Sequence, residues 1–494
     1  MVNKEKINKL ENNKELRVAL IIPPSNLNKT EIISTQYPIN LGYIAAYLIK
    51  YNNAKIKLLD YNVIPYSDQI FLDTLKEFNP NVVGFSCYTI NIKIGNHLAG
   101  LTKQFNNSIL NVVAGPHTTA LPKETLEEFP NFDVIVKGEG ELTISELCNR
   151  YLKKENLSGC QGIVHRISGE IVIEEERPLI QNLDDLPFPK RDLLDIKYYN
   201  RSHASRGLSR KFLNISEFIV SRGCPFECIF CASHLAYKRL IRYRSPENVI
   251  AEMEECIKNY GTNHFSILDD TLTMNHKIVY ALCNELKRLG ITWDCNTRVN
   301  AVTQDLLNEM ASSGCIKVSF GVESGSQRIT DLNKKLITLN QVREAFAMAH
   351  KAKIKYVEGT FIVGSHPDEK PEDIKLTIKL IKEIKPDIIS LSVIVPLPGT
   401  AIYDMMKQNN QIFAKEWEEF MFVSGTPKWR TNHFSPEDLV KWQRKGLMAF
   451  YFTPRYVLKR LSEIRSLGEL KYWVDIGVNF IKTVILQRKA NVSY

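Results

Sequence analysis

Three cysteines near the middle of the chain, Cys224, Cys228 and Cys231, follow CxxxCxxC spacing directly after the apolar run 218–220. Thiolates are soft ligands suited to zinc or to iron–sulfur centres. A structural zinc site takes four protein ligands, and this stretch offers three. A [4Fe–4S] cluster held by three cysteines keeps one iron open for a substrate or cofactor. The competing interpretations are three buried core cysteines or one half of a zinc site.

The same stretch resembles the radical S-adenosylmethionine (SAM) enzymes, including the aromatic Phe230 just before the last cysteine. The resemblance implies that Cys224, Cys228 and Cys231 ligate a [4Fe–4S] cluster whose open iron chelates the amino and carboxylate groups of SAM. It also implies that the cluster passes one electron to SAM, which splits to give a 5′-deoxyadenosyl radical. The electron would come from an external donor such as flavodoxin or ferredoxin, under anaerobic conditions.

Six short apolar segments alternate with helical stretches over residues 211–430 and predict a partial (β/α)6 barrel in this part of an α/β protein. Barrels of this kind place their chemistry at the carboxyl ends of the strands. The predicted strands are 216–220, 265–268, 292–296, 316–320, 357–363 and 388–395. The candidate cofactor-binding residues at their ends are Asp269, Asp270, Arg298, Glu323, Ser324, Pro398 and Gly399.

The family resemblance assigns roles to the ends of the fourth and sixth of these strands. Glu323 and Ser324 fall where the family contacts the SAM ribose, and their side chains can accept and donate hydrogen bonds to hydroxyl groups. The turn that contains Pro398 and Gly399 resembles the adenine-side turn of the family.

Asp269 and Asp270 stand where related enzymes often carry a Gly-Gly-Glu that holds the SAM ammonium group. A carboxylate facing an ammonium group makes a charge-assisted hydrogen bond, so aspartate can replace that glutamate. Arg298 would pair with the SAM carboxylate or with these aspartates. The alternative is that the two aspartates and the arginine are solvated surface groups.

Residues 16–152 also alternate near-continuous apolar strands with helices, which predicts an N-terminal doubly wound, Rossmann-like parallel sheet. Ligands on such sheets bind beyond the carboxyl ends of the strands. Small and hydroxyl residues at those ends allow close approach of a bulky ligand. The candidates are Thr89, Gly115, His117, Thr118, Gly138 and Glu139.

The order of these turns resembles the cobalamin-binding domain that precedes the barrel in one large radical SAM class. The resemblance implies a corrinoid on these loops, with its nucleotide tail running into the sheet. Many cobalamin domains place a histidine under the cobalt through Asp-x-His-x-x-Gly, but the nearest string here, 95–100, lacks the aspartate. We therefore assign no lower axial ligand. His117 is either a cofactor contact or a turn histidine bonded to local groups.

Three further segments complete the predicted organisation. Residues 1–15 are expected to form a disordered tail, 153–210 a linker with a small hairpin, and 431–494 a basic helical segment. From residue 435 onward the chain has eleven Lys and Arg against five Asp and Glu, hence a net charge of +6. This segment is either a helical cap over the barrel mouth or a basic aromatic helix that makes peripheral contact with a membrane.

The composition indicates the cellular compartment of the protein and the classes of partner it can bind. The ten cysteines form no small-domain disulfide framework and follow no signal peptide, which predicts a reducing cytoplasm. Cys87, Cys148 and Cys160 are expected to be ordinary buried cysteines. No apolar run approaches the roughly 18 residues of a membrane span. Most of the net charge of +9 lies in the C-terminal segment, so no nucleic-acid binding is expected.

The combined features predict a cobalamin-dependent radical SAM enzyme over about residues 16–430. The lead hypothesis is methylation of an unactivated carbon in a small-molecule or natural-product substrate. The alternatives are a radical oxidative cyclase or rearrangement enzyme that uses cobalamin without methyl transfer, similar to the anaerobic magnesium-protoporphyrin monomethyl ester cyclases, and more remotely a non-catalytic metal-binding protein. A methylthiotransferase is disfavoured because the tail is helical where that class carries a small β-domain.

Overall fold

The computed structural model describes residues 15–25, 36–200, 214–420 and 426–464, together with 470–471, 474 and 477–478. The described residues group into two compact units. The first contains 15–25, 36–200 and 233–238, and the second contains 214–232 and the described residues from 239 onward. The predicted disordered tail and most of the segment after residue 464 lie outside the described residues.

The first unit is built on a seven-stranded sheet in the order β2-β1-β3-β4-β5-β6-β7, and its first five strands are parallel. This confirms the predicted doubly wound sheet. The strands are β1 (Arg17–Ile22), β2 (Lys55–Asp60), β3 (Val82–Ser86), β4 (Leu110–Ala114), β5 (Val134–Val136), β6 (Ile163–Ile167) and β7 (Glu170–Ile173).

Helices connect the parallel strands of the first unit, and apolar side chains from both form one core. The helices are α1 (Ile39–Asn52), α2 (Asp68–Phe78), α3 (Ile92–Phe105), α4 (Pro116–Ala120), α5 (Pro122–Glu128), α6 (Glu141–Leu152) and α7 (Lys197–Asn200). The short helix α8 (Ser233–Tyr237) also belongs to this unit.

The hairpin predicted inside the linker is formed by β6 and β7. It is antiparallel, and β6 pairs with β5, so the hairpin extends the first sheet at its edge. The segment predicted as a linker therefore supplies two strands of the first unit.

The second unit holds a six-stranded, fully parallel sheet in the order β15-β14-β13-β12-β11-β8. The six predicted strands are confirmed. They are β8 (Ile215–Phe218), β11 (His264–Ile267), β12 (Thr292–Arg298), β13 (Cys315–Glu323), β14 (Tyr356–Val363) and β15 (Ile388–Val393), with a small ladder of β9 (Ser221–Arg222) and β10 (Arg242–Tyr243).

The helices of the second unit pack on one face of this sheet and enclose its apolar core. They are α9 (Pro246–Tyr260), α10 (His276–Leu289), α11 (Gln304–Ser312), α12 (Gln327–Leu332), α13 (Leu339–Lys351), α14 (Pro371–Ile384), α15 (Ala401–Gln408), α16 (Pro436–Tyr451) and α17 (Pro454–Glu463).

The two faces of the second sheet differ sharply in chemistry. On β13, Val318, Phe320 and Val322 lie in the apolar core, while Lys317 and Ser319 alternate with them and point to the opposite, inner face. The strands therefore carry apolar residues toward the helices and polar residues inward.

The free edge of β15 is covered by the C-terminal helices. The side chain of Gln443 in α16 donates to the backbone oxygen of Leu391 at 3.0 Å, and the hydroxyl of Tyr451 donates to that of Ile389 at 2.8 Å. An uncovered edge strand would offer unpaired backbone groups to other chains. The described part of the C-terminal segment thus lies along the sheet edge. No helix in the described parts of the chain is long and apolar enough to cross a membrane.

Candidate active site

The cysteine loop follows β8 and is fixed by backbone hydrogen bonds to two distant segments. The amide of Ile229 donates to the carbonyl oxygen of Asn333 at 3.2 Å, and the amide of Ile402 donates to the oxygen of Ile229 at 3.1 Å. A third contact joins the guanidinium of Arg239 to the oxygen of Phe226 at 2.9 Å. The three cysteines are therefore carried by a loop that the rest of the second unit holds in place.

The three thiols of this loop are partly exposed, whereas the other seven cysteines are buried. Cys87, Cys148 and Cys160 belong to the buried set, as predicted. No cysteine in the described part of the chain forms a disulfide. Solvent access distinguishes the loop cysteines as the ones available to ligate an added group.

Two polar side chains contact the sulfur atoms. Thr271 Oγ1 lies 3.9 Å from Cys224 Sγ, and Arg298 Nη1 donates to Cys228 Sγ at 3.8 Å. The Arg298 guanidinium also lies over the ring of Phe226, 3.5 Å from its centroid, and donates to the backbone oxygen of Lys335. Sequence reasoning placed Arg298 near SAM or the aspartates; the structure places it directly against the cysteine loop.

The two predicted aspartates occupy different environments. Asp269 is buried, and its carboxylate accepts from the Val220 amide at 2.8 Å and from the Ser221 hydroxyl at 2.5 Å. Burial raises the pKa of Asp269 to about 7 in spite of these hydrogen bonds. Asp270 is exposed. Asp269 therefore holds the start of the cysteine loop, and Asp270 is the aspartate whose side chain reaches solvent.

Glu323 lies at the end of β13 in a strained backbone conformation. Its φ of 69° falls in the left-handed region, and the ladder with β14 shifts register between Gly321 and Glu323. Such strain is retained where the surroundings enforce it, often at functional sites. The carboxylate is bound by Lys335 Nζ at 2.8 Å. Ser324 is fully buried, and its Oγ accepts from the Ser326 amide at 3.2 Å.

Phe230 and the turn after β15 are the remaining candidate cofactor-binding positions in the second unit. The Phe230 ring is partly buried, with Lys335 Nζ 5.9 Å from its centroid. Gly399 adopts a φ of 79° between the buried Pro398 and Thr400. The Thr400 side chain caps α15 by accepting from the Tyr403 amide at 3.3 Å.

In the first unit, the loops after β3 and β4 meet closely. Gly115 has a φ of 132°, and a Cβ there would lie 2.1 Å from the Cys87 backbone oxygen, so only glycine fits. His117 is buried, its Nδ1 lies 3.2 Å from Thr89 Oγ1, and burial lowers its pKa to about 4. Thr118 donates to the Gly115 oxygen at 3.1 Å. His117 is thus a neutral, locally bonded histidine.

The loop after β5 is held by two more contacts. The Gly138 amide donates to Thr119 Oγ1 at 3.3 Å, and Glu139 Oε2 accepts from the Ile180 amide at 2.9 Å. His97, in the string that lacks the aspartate, lies on α3 and pairs with Asp68 at 2.9 Å. The candidate cofactor residues of the first unit therefore gather at the carboxyl ends of β3, β4 and β5.

The donor set of the cysteine loop fits an iron–sulfur cluster with an open iron. Three accessible thiols would be the ligands. The Arg298 and Thr271 side chains would donate to the sulfur atoms, and hydrogen bonds of this kind tune the reduction potential of a cluster. Among the described residues, no group of three or more His, Cys, Asp or Glu side chains is positioned to hold a single metal ion.

Three residues beside the loop escaped sequence reasoning: Lys335, Thr271 and Phe226. Lys335 follows Lys334 in a polar stretch and carries no local signal, yet it is buried and flanked by positive φ values at Lys334 (51°) and Leu336 (55°). Thr271 directly follows the aspartates, and Phe226 lies inside the cysteine motif. The last two could have been found by attention to the neighbours of each predicted residue.

Two protein-family models match the chain. The B12 binding domain matches residues 28–148, and the Radical SAM superfamily matches residues 218–381. The matched ranges contain the loops after β3 and β4 and the cysteine loop, respectively.

Known proteins resemble the chain along most of its length. An uncharacterized methyltransferase of Pyrococcus horikoshii is 32% identical over 453 residues, covering 91% of this chain and 95% of that protein. An anaerobic magnesium-protoporphyrin IX monomethyl ester cyclase of Cereibacter sphaeroides is 26% identical, with 94% and 77% covered.

Among solved structures, the radical SAM methyltransferase TsrM of Kitasatospora setae, with cobalamin and a [4Fe–4S] cluster bound, shares the fold. Its TM-score is 0.70 at 15% identity, and the match covers 90% of this chain and 92% of that one. The family models, the long alignment at 32% identity and the cysteine loop agree. The chain therefore belongs to the radical SAM enzymes that carry a B12-binding domain, whose cofactors are a [4Fe–4S] cluster, S-adenosylmethionine and cobalamin.

Proposed function

We propose that the protein is a cobalamin-dependent radical SAM methyltransferase that methylates an unactivated carbon of a small-molecule substrate. The observation that carries the proposal is the alignment with the Pyrococcus horikoshii methyltransferase, which spans both units and nearly all of that protein. The methyltransferase TsrM shares the same two-part fold.

In this proposal the cysteine loop holds the cluster through Cys224, Cys228 and Cys231. The bound cluster and SAM supply the radical, and cobalamin supplies the methyl group. Arg298 donates to the Cys228 sulfur, and this hydrogen bond stabilises the negative charge of the sulfur. Asp269 ties the start of the loop, at Val220 and Ser221, to the segment that follows β11. The protein thus positions and shields the reacting groups.

The remaining candidates are proposed to bind SAM in the second unit. The exposed Asp270 is the aspartate suited to the SAM ammonium group. Glu323, aimed by its strained backbone and bound to Lys335, lies at the strand end proposed for the ribose, beside Ser324. The turn at Pro398 and Gly399 is proposed for the adenine side, and Phe230 for the wall next to Cys231.

In the first unit the loops after β3, β4 and β5 are proposed to bind cobalamin. Their glycines permit close approach of backbone to ligand, and their hydroxyl and carboxylate groups offer hydrogen bonds. Burial keeps His117 neutral. The proposed contacts are Thr89, Gly115, His117, Thr118, Gly138 and Glu139.

A test that needs no substrate follows the labelled methyl group of SAM. Anaerobic protein loaded with iron, sulfide and cobalamin is reduced and mixed with trideuteromethyl-SAM. We expect labelled methylcobalamin and S-adenosylhomocysteine in equal amounts, as methyl transfer requires. A cobalamin fraction that stays unlabelled while 5′-deoxyadenosine accumulates would contradict methylation.

The second candidate is a radical cyclase or rearrangement enzyme. The observation that favours it is the 26% identity to the Cereibacter sphaeroides cyclase over 94% of this chain. In that case 5′-deoxyadenosine would form while the cobalamin stays unlabelled. The same experiment therefore separates the two candidates.

We further propose an external electron donor such as flavodoxin or ferredoxin, and a cytoplasmic location that fits ten cysteines without a disulfide in the described structure. Reduction of the cluster by NADPH, flavodoxin reductase and flavodoxin would support the donor.

Membrane contact is a separate proposal, based on the sequence after residue 465, where Lys and Arg alternate with aromatic and aliphatic residues. Removing residues 466–494 should abolish sedimentation with anionic vesicles; unchanged sedimentation would contradict it.

A further inference from the structure

The inner face of the second sheet is mostly polar, with the apolar Ile362 beside Ser392 as an exception. Fully closed eight-stranded barrels usually fill their interior with Val, Ile and Leu. Here, instead, charged and hydroxyl side chains alternate with the outward apolar ones on every strand from β11 to β15. A polar interior is costly to bury unless its groups are paired or meet a polar ligand.

The lower part of this face is closed and internally satisfied. Lys317 Nζ lies 3.0 Å from Glu358 Oε2, and Ser319 Oγ donates to the same oxygen at 2.5 Å. His264 Nε2 lies 2.9 Å from Asp294 Oδ2. All five side chains are buried, so this part forms a floor.

The upper part of the face is open. On β15, Ser390 and Ser392 are exposed, while Ile389, Leu391 and Val393 between and beside them are buried against the helices. In the part of the chain that the structure describes, neither serine hydroxyl makes an internal hydrogen bond. These hydroxyls are therefore available to a ligand bound on the inner face of the sheet.

The strand register links these hydroxyls to the cysteine loop. Ser390 is paired with Thr360, Thr360 with Gly321, and Gly321 with Arg298, which donates to the Cys228 sulfur. At roughly 4.8 Å per strand, three steps place the serine about 14 Å along the sheet from that arginine. One small molecule can span this distance.

We infer that the substrate is a polar small molecule whose hydroxyl, carbonyl or amide groups bind the side chains of Thr360, Ser390 and Ser392. Hydroxyl groups donate and accept without carrying charge, so they select neutral hydrogen-bonding groups over a hydrocarbon, which would leave them desolvated and unpaired. The inference rests on the proposed function and narrows its substrate class.

The test uses 5′-deoxyadenosine release, which does not depend on methyl transfer. Cells that naturally contain this protein are extracted anaerobically, and the extract is divided into water-soluble and chloroform-soluble fractions. Each fraction is added to reduced holoenzyme with trideuteromethyl-SAM. We expect the water-soluble fraction to stimulate release. Stimulation by the chloroform fraction alone, or none by the water-soluble fraction, overturns the inference. Stimulation by the water-soluble fraction without label in the product overturns methylation and supports the inference.

A variant pair then tests the residues. With substrate purified from the active fraction, the double change Ser390→Val and Ser392→Val should raise KM about tenfold or more with iron content unchanged, because two hydrogen bonds are lost. Ser312→Val, on the exposed surface of α11, is the matched control and should leave KM unaltered. An unchanged KM in the double variant overturns the assignment.

Discussion

Arg298 connects the cysteine loop to the rest of the second unit. Its guanidinium lies on the Phe226 ring, donates to the Lys335 oxygen and reaches the Cys228 sulfur. A hydrogen bond to a cluster thiolate strengthens as the cluster gains negative charge, so it favours the reduced state. The arginine should therefore raise the reduction potential of the cluster.

Arg298→Met should lower that potential while the cluster still assembles. A difference of about 1 kcal/mol in the hydrogen bond between oxidation states corresponds to about 40 mV for a one-electron couple. A redox titration followed by electron paramagnetic resonance measures it. Arg288→Met, which removes an exposed arginine paired with Glu254 and Glu285, is the control. An equal potential in both variants would exclude the role of Arg298.

Asp269 predicts a pH dependence of stability. Burial raises its pKa from 3.8 to about 7. Between these values the folded protein keeps a proton that the unfolded chain has released, so this carboxyl's contribution to the free energy of unfolding falls as pH rises. The fall is up to about 1.4 kcal/mol per pH unit and ends above pH 7. Asp269→Asn should gain stability relative to the wild type from pH 5 to 7 in urea unfolding; a constant difference would contradict this.

The adjacent aspartates show the limit of sequence reasoning at this scale. Both follow the same predicted strand, and the pattern gives them the same role. The segment after β11 buries Asp269 against Val220 and Ser221 and leaves Asp270 exposed. Only the pairing of β8 with β11 decides which of them holds the loop.

At the scale of elements, strand positions could be predicted because apolar runs mark them. The polar inner face was missed, although the signal was present in the alternation of Ile316, Lys317, Val318, Ser319 and Phe320. Its meaning depends on which face meets the helices, and this is a tertiary property. Periodicity also could not decide whether the C-terminal segment caps the barrel mouth or contacts a membrane. The pattern of an amphipathic helix shows which face is buried, but it does not show what covers that face.

The covering of β15 by α16 predicts a stability effect. The Tyr451 hydroxyl donates to the backbone oxygen of Ile389, and Tyr451→Phe would leave this edge oxygen without its donor while keeping the ring. We expect a loss of about 1–3 kcal/mol in the free energy of unfolding, measured by urea titration. Tyr51→Phe, at a half-exposed tyrosine of α1, should stay within about 0.5 kcal/mol. Equal stability of the two variants would show that the edge contact contributes nothing.

At the scale of the whole molecule, the two units have separate apolar cores and separate candidate cofactor loops. If each unit holds its own cofactor, the two cofactors can be removed one at a time. The change Gly115→Ala would place a Cβ 2.1 Å from the Cys87 oxygen and push apart the loops after β3 and β4. We expect it to abolish cobalamin binding and to leave about four iron per chain.

The reverse loss should follow from the cysteines. The triple change Cys224→Ala, Cys228→Ala and Cys231→Ala removes every accessible thiol of the loop and should eliminate iron while cobalamin still binds, as measured by absorbance after gel filtration.

Gly159→Ala is the matched control for Gly115→Ala, because Gly159 also has a positive φ, 78°, but has open space around the position of a Cβ. It should keep both cofactors. If one of these changes removes both cofactors, the two units are not independent. The unit that was left unaltered would then need the other unit's cofactor to stay folded.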